Sequence, residues 1–308
     1  MPENHRRRLK PDTPLARVPS VPPRVLLFSQ RNVEVHMWEA PQLEFEDVIL
    51  EVESARLLAP PNSWTNSRSM WVQRAGNVAR RLARRAKAWP IAPQRVEGEY
   101  ELFFATFHFL RNVAMVNQLR ELRERCRLMA CFLIEVWSPE LREGDPYIEL
   151  LAQFDHIFVF NAAIADRLRT LTGRPCTFLP TAVDAFRFSP YPARPERTVD
   201  VYNFGRGSDA IHRQLQAMAE RDELFYVHAR VNHAVRDYRA HRVLVANLMK
   251  RSRFFLAHRI NEDRLSLTGG DEALATRFFE GVAGGAVLLG SHPACPEFDA
   301  CFGWDDVV

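Results

Sequence analysis

Two glutamates, Glu272 and Glu280, stand with seven residues between them in the stretch Thr268 to Gly290, TGGDEALATRFFEGVAGGAVLLG. Glu280 falls among Phe278, Phe279 and Val282, and a carboxylate on an apolar surface needs hydrogen-bond donors. A sugar or ribose diol supplies such donors. Just upstream, Gly269 and Gly270 carry no side chain, so a phosphate can approach backbone N–H groups there. Each glutamate taken alone also reads as a solvated helix residue, and Glu272 as ordinary complement to a helix dipole.

The elements that would hold these residues follow from the pattern. Thr268 or Asp271 can cap a helix with an acidic first turn, Asp271 and Glu272. Ala273, Leu274, Phe278, Phe279, Val282 and Ala283 give it a broad apolar face, and Gly284-Gly285 ends it. The run Ala286 to Gly290 then reads as a buried parallel strand. Such a helix starts at the carboxyl ends of a sheet, where open α/β folds bind ligands.

This stretch resembles the donor site of retaining nucleotide-sugar glycosyltransferases with the GT-B fold, the bacterial group 1 or family 4-like enzymes. The resemblance rests on Glu272, Glu280, Ala283, Gly285 and the wording RFFEGVAGGAVLLGSHP, Arg277 to Pro293. A second match is the turn Pro180-Thr181-Ala182-Val183-Asp184 followed by Phe188-Ser189-Pro190, at the family's distance from the glutamate pair. The resemblance implies an α/β fold of two Rossmann-like domains with parallel sheets facing across a cleft. It implies that Glu272 contacts the donor sugar, Glu280 binds the ribose, and Gly269 and Gly270 lie by the diphosphate. It is good from Ile157 to Asp305 and thin before that.

The rest of the chain reads as strands alternating with helices, the signature of parallel α/β domains. Apolar runs predict strands at Arg24 to Ser29, Glu101 to Phe107, Leu128 to Glu135, His156 to Asn161, Cys176 to Leu179, Val199 to Phe204, Leu224 to Ala229 and Phe254 to Ala257. Helices are expected over Leu110 to Arg125, Tyr147 to Gln153, Ala163 to Leu171, Ala210 to Ala219 and His233 to Lys250. Phe45 to Ala59 alternates apolar and acidic residues and reads as one strand plus a short element. We expect a basic leader over 1–21, an acceptor-side domain over 22–186, a proline-stiffened linker over 187–197 and a donor-binding domain over 198–308. A full second domain would continue past the aromatic, proline-rich end, so an incomplete C-terminal part is expected.

Further candidates come from this layout. The turn Gly205-Arg206-Gly207 follows a predicted strand, which suits phosphate binding by backbone donors and a guanidinium fork. In the resembled family an arginine there helps neutralise the diphosphate; the usual partner lysine is missing, and Arg213 could replace it. His108 ends a strand on the cleft side and is our choice for the reaction centre, with a structural role as the alternative. Glu135 is the runner-up on the acceptor side and Glu46 a more distant candidate. Seven basic residues and no acid between Arg68 and Lys87, Arg81 and Arg85 among them, predict a basic amphipathic helix. It could meet an anionic acceptor or a membrane surface, or simply lie solvated over the first domain.

Composition bounds the rest. At 308 residues, 47% hydrophobic and 26% charged, the chain is a globular protein more naturally of two domains than one. A net charge of +3 does not imply nucleic acid, which ranks third among the readings of the basic segment. Five cysteines without metal-site spacing read as reduced thiols, and no secretory signal is read, so the expected location is the cytoplasm, with peripheral contact at the inner membrane face. No cofactor and no protein-bound metal are expected; the nucleoside diphosphate sugar is a co-substrate. Glycosidase carboxylates must flank the scissile bond, and one that holds a ribose does not. The other open reading is a non-catalytic nucleotide- or partner-binding protein on the same scaffold.

Overall fold

The computed structural model describes residues 22–33, 36–60, 91–205, 207–229, 235, 237–260, 265–304 and 307–308. The basic segment 68–89, with Arg81 and Arg85, and the turn residue Arg206 lie outside them.

Six strands form the first sheet: β1 Val25–Phe28, β2 Ala55–Leu58, β3 Tyr100–Phe107, β4 Cys126–Leu133, β5 His156–Val159 and β6 Cys176–Phe178. Their order is β2-β1-β3-β4-β5-β6 and every pairing is parallel. Successive side chains alternate between faces. Phe28, Phe103, Phe107 and Cys131 fill one core, whereas Leu27, Phe104, Ala130 and Phe132 fill the other. Burial on both faces explains why these strands read as continuous apolar runs.

The second sheet has four strands, β7 Val199–Phe204, β8 Tyr226–Ala229, β9 Ser252–Ala257 and β10 Val287–Gly290, in the order β8-β7-β9-β10, again all parallel. Phe255, Phe278, Phe298 and Phe302 lie at the centre of its core. Phe188, from the turn that follows the first sheet, is fully buried in that same core. The chain is thus an α/β protein of two Rossmann-like parallel sheets. Among the described residues no helix is long and apolar enough to cross a membrane.

The stretch Phe45 to Ala59 holds the end of a helix and one strand: residues 45–52 belong to α1, Ala40–Val52, which Pro41 opens, and the strand begins at Ala55. Glu44, Glu46 and Asp47 are buried on this helix, because arginines from three other segments neutralise them. Two expectations need correction. The expected helix over Leu110 to Arg125 is divided, into 3-10 turns over Leu110–Gln118, a short strand and one turn over Leu122–Arg125.

The second correction concerns the glutamate helix. A single turn, Leu265–Thr268, ends at Gly269 and Gly270, both with left-handed backbone (φ 68° and 89°). Residues 271–275 then run non-helically, and the helix begins at Thr276 rather than Asp271, spanning Thr276–Ala283. Tertiary contacts stretch this segment. Ala273 enters the core against the first sheet, while the next two residues, Leu274 and Ala275, enter the core of the second. Gly281 lets the helix lie directly on its sheet: a Cβ there would sit 2.3 Å from Leu288 Cδ2 and 2.9 Å from Phe255 Cδ1.

Candidate functional site at the two switch points

In an open parallel sheet the strand order reverses at one place, and the connections there leave in opposite directions, opening a crevice at the carboxyl ends. In the first sheet that place lies between β1 and β3. It is occupied by Ser29 and Gln30 after β1 and by His108 after β3. In the second it lies between β7 and β9, with Gly205 and Gly207 after β7 and His258 and Arg259 after β9. A Cβ on Gly207 would lie 3.9 Å from the His258 ring, and one on Gly290, at the end of β10, 3.1 Å from it.

The first crevice is walled by a buried polar cluster. Glu46 is fully buried and takes hydrogen bonds from Ser29 Oγ and Thr106 Oγ1, and from Arg31 at 2.9 Å. Burial pushes its carboxyl upward, against the opposing pull of Arg31, Ser29 and Thr106. Gln30 and Gln42 both donate to the Thr106 carbonyl, and Asn112 donates to Gln30. His108, 3% exposed, places Nε2 3.1 Å from Glu135 Oε2. Its Nδ1 is buried with no hydrogen-bond partner among the described residues. The two expected acceptor-side residues, His108 and Glu135, therefore form one pair at the ends of adjacent strands.

The segment carrying Glu272 sits across the carboxyl ends of β4 and β5. Asp271 accepts from Ser138 N and Oγ, both at 2.8 Å, and from Asn161 Nδ2 at 2.9 Å. Gly269 backs onto Pro139, so close that a Cβ would fall 2.7 Å from its Cγ. The glycine pair is thus the seam against the first domain, and no helix N-terminus follows it directly. Glu272 binds Arg259 Nη1 at 2.7 Å through Oε1 and accepts from Ala294 N through Oε2; its side chain is 26% exposed. Arg259 follows β9, the strand that lies beside β7 with its Gly205 and Gly207.

Glu280 lies on the helix Thr276–Ala283 that follows this segment. It is 2% exposed, and the donor it needs comes from Arg242 Nη1. Arg242, on α2 (Tyr238–Lys250), is completely buried; its Nη2 reaches Glu44 on α1 at 2.8 Å, and its guanidinium lies 4.8 Å from the centroid of the Phe188 ring. Burial would lower the Arg242 pKa, but Glu280 and Glu44 outweigh it and raise the value. Arg187 takes the other oxygen of Glu44 at 2.8 Å. One turn further along α1, Asp47 accepts two hydrogen bonds from Tyr238 and two from Arg239, and pairs with Arg31. Burial pushes the Tyr238 hydroxyl up to about 12.

Sequence reasoning did not find Asp271, His258, Arg259, Arg242 or Glu44. His258 and Arg259 follow an apolar run and could have been sought as strand-end polar residues, whereas Asp271 was read only as a helix cap or first-turn acid. Arg242 sits in a helix rich in positive charge, and no local signal marks it as buried. Among the described residues no three His, Cys, Asp or Glu side chains gather as a metal ion would require. A cavity of about 490 Å³, lined by Leu122, Arg123, Met129, Asp155 and Arg174, lies at the amino ends of β4 and β5, away from both switch points.

No protein-family description matches the chain, and no curated protein sequence does. Solved structures resemble it at 10% identity. One is the Glycosylation Associate Protein (Gap123) complex from Streptococcus agalactiae, at TM-score 0.35 over 61% of this chain; the match spans only 42% of that chain's length. Another is an alpha-glucosyltransferase in complex with UDP-glucose and DNA containing an abasic site, at TM-score 0.46 over 87% of this chain and 79% of that one. A third is the glycotransferase of kitacinnamycin, at TM-score 0.38 over 88% and 80%. The fold assignment stands on the two parallel sheets themselves.

Proposed function

We propose that the protein transfers a glycosyl group from a nucleoside diphosphate sugar to an acceptor, with retention of anomeric configuration. The observation that carries this reading is the seating of residues 269–275 on the first sheet. Three hydrogen bonds to Asp271 hold Glu272 where the carboxyl ends of both sheets converge. Each switch point then has its own task. Gly205, Gly207 and the start of α3, Asp209–Glu220, offer backbone donors for the diphosphate. Arg259, and Arg206 from the same turn, would meet its charge, so that in this reading guanidinium takes the place of a bound metal ion.

The reaction separates charge: the bond from the anomeric carbon to the diphosphate breaks as the acceptor oxygen bonds to that carbon, and the acceptor's hydroxyl proton passes to the departing diphosphate. Fixed positive groups at the leaving phosphate lower this barrier without having to reorganise. Glu272 would hold donor hydroxyls and Glu280 the ribose, each beside the arginine that now balances it. His108, paired with Glu135, would face the acceptor. The sequence resemblance at Glu272 to Pro293 and Pro180 to Pro190 supports the same assignment. The basic segment 68–89 would bring the protein to an anionic acceptor or a cytoplasmic membrane face.

A second reading, a nucleotide binder without turnover, is favoured by one specific fact. Both glutamates are paired with arginines of the protein itself. Calorimetric titration with uridine, guanosine and thymidine diphosphates tests what the two readings share. Saturable binding of one of them is expected, and binding of none refutes both.

A further inference from the structure

The segment bearing the two glutamates is tied to the first domain at both ends. At one end Asp271 bonds Ser138 and Asn161; at the other, Glu280 shares Arg242 with Glu44. The second tie has an unusual division of labour. Arg242 Nη1 serves a carboxylate of the donor domain, and Nη2 serves one of the acceptor domain. All three side chains are almost wholly excluded from solvent, at 0% for Arg242, 3% for Glu280 and 2% for Glu44.

A guanidinium presents its N–H groups as a fork and prefers to grip one carboxylate with two parallel bonds. Here Glu44 draws Nη2 away from such a grip on Glu280, and Glu44 is itself fixed by Arg187 on its other oxygen. Arg242 therefore bonds Glu280 through Oε1 alone, and Glu280 Oε2 has no hydrogen bond among the described residues. Without Glu44, both Nη groups would be available to Glu280 and the fork would claim Oε2 as well.

We propose that Arg242 is a positioning residue for donor binding. By dividing itself between Glu44 and Glu280 it leaves one oxygen of Glu280 unclaimed for the ribose hydroxyls, and it does so only while α1 of the first domain is in place. Nucleotide affinity and apposition of the two domains are then a single equilibrium, and each strengthens the other by the same factor. This rests on the reading of Glu280 as the ribose ligand.

The test is a double-mutant cycle read by calorimetry with uridine, guanosine and thymidine diphosphates on the full chain: wild type, Glu44→Gln, Glu280→Gln and the double variant, each shown folded by its melting curve. Glu44 touches no nucleotide in this account, yet Glu44→Gln should weaken binding about five- to tenfold, the range of a modest coupling energy. In the Glu280→Gln background the same substitution should have no further effect, because the oxygen it protects is no longer a carboxylate. Wild-type affinity in Glu44→Gln, or the same loss in both backgrounds, overturns the proposal. If Glu44→Gln fails to fold, Arg242→Lys replaces it in the cycle: an ammonium cannot bridge both carboxylates as the fork does, and the same pattern of non-additivity is required. Absence of nucleotide binding by the wild type would instead remove the donor reading itself, and this proposal with it.

Discussion

Asp271 is the residue whose loss should be felt most widely, because its one carboxylate joins the loops at Ser138 and Asn161 to the segment 269–275. Replacing it with alanine removes the acceptor for Ser138 N, Ser138 Oγ and Asn161 Nδ2, all within 2.9 Å. Hydrogen bonds to a charged group are worth about 1.5–3 kcal/mol each. The three do not add fully, since water can reach Ser138 Oγ and Asn161 once the carboxylate is gone. A net loss of about 2–4 kcal/mol is expected, at the upper end of ordinary single substitutions. For a chain of this size that is a fall in Tm of roughly 3–6 °C. Trp137 gives a local reporter: it precedes Ser138, packs edge-on against Phe160 at 5.9 Å and shares a core with Ala273. Thermal unfolding of Asp271→Ala followed by tryptophan fluorescence should show the lower Tm with an altered folded baseline. Asp271→Ala and Ser138→Ala should also be strongly non-additive. A Tm within about 1 °C of wild type, where the expected loss is several degrees, would refute the idea that this carboxylate holds the domains together.

Gly269→Ala should cost stability for a separate reason: left-handed backbone costs an L-residue about 1–2 kcal/mol, and the new Cβ would meet Pro139 Cγ at 2.7 Å; an unchanged urea midpoint would count against this seam. Acid stability should depend on Asp47. Burial acts against its ionisation, but hydrogen bonds from Arg239 and Tyr238 and the charge of Arg31 prevail and hold its carboxyl below the usual range. Its contribution is therefore present above the ordinary carboxylate pKa of about 4 and lost as pH falls through the lower folded value. Asp47→Asn should be less stable than wild type at pH 7, with the difference shrinking as the pH is lowered; melting curves at stepped pH that stay parallel would contradict this. His108→Gln should lower kcat by about 100-fold or more, the lower range for a residue at a reaction centre, with donor KM little changed. A kcat within about twofold of wild type, well below that range, would leave His108 a structural residue.

How much of this could be read in advance divides along a physical line. Strands buried on both faces announce themselves as apolar runs, and β3, β4, β7 and β9 fell where such runs stand. The helices over Ala163 to Leu171 and Ala210 to Ala219 were legible too, because local chemistry bounds them: left-handed Gly173 stops the first and Ser208 caps the second. The errors lie where a distant segment decides. Glu46 and Asp47 belong to the acidic alternation over Phe45 to Ala59 that hides a helix; with Glu44 they are tolerated on a buried face only because Arg31, Arg187, Arg239 and Arg242 arrive from elsewhere in the chain. Asp271 reads as a first-turn residue of a helix, but its oxygens are spent on Ser138 and Asn161, and Ala273 to Ala275 are drawn into two different cores. The glutamate pair was visible by spacing, whereas the arginines that hold it, Arg242 and Arg259, were not. No local pattern separates a buried arginine from a solvated one.

The account as a whole is tested most directly by turnover of a panel of nucleoside diphosphate sugars, with release of the nucleoside diphosphate measured for the full-length protein and for Glu272→Ala. The structure places Glu272 between Arg259 and the Ala294 backbone, next to the residue that joins the two domains. One donor should therefore be turned over by the wild type, and its turnover should fall by at least about 100-fold in the variant, the scale on which a lost transition-state contact acts. No turnover of any donor by the wild type, or equal turnover by both proteins, would contradict the claim that this is a glycosyl-transferring site.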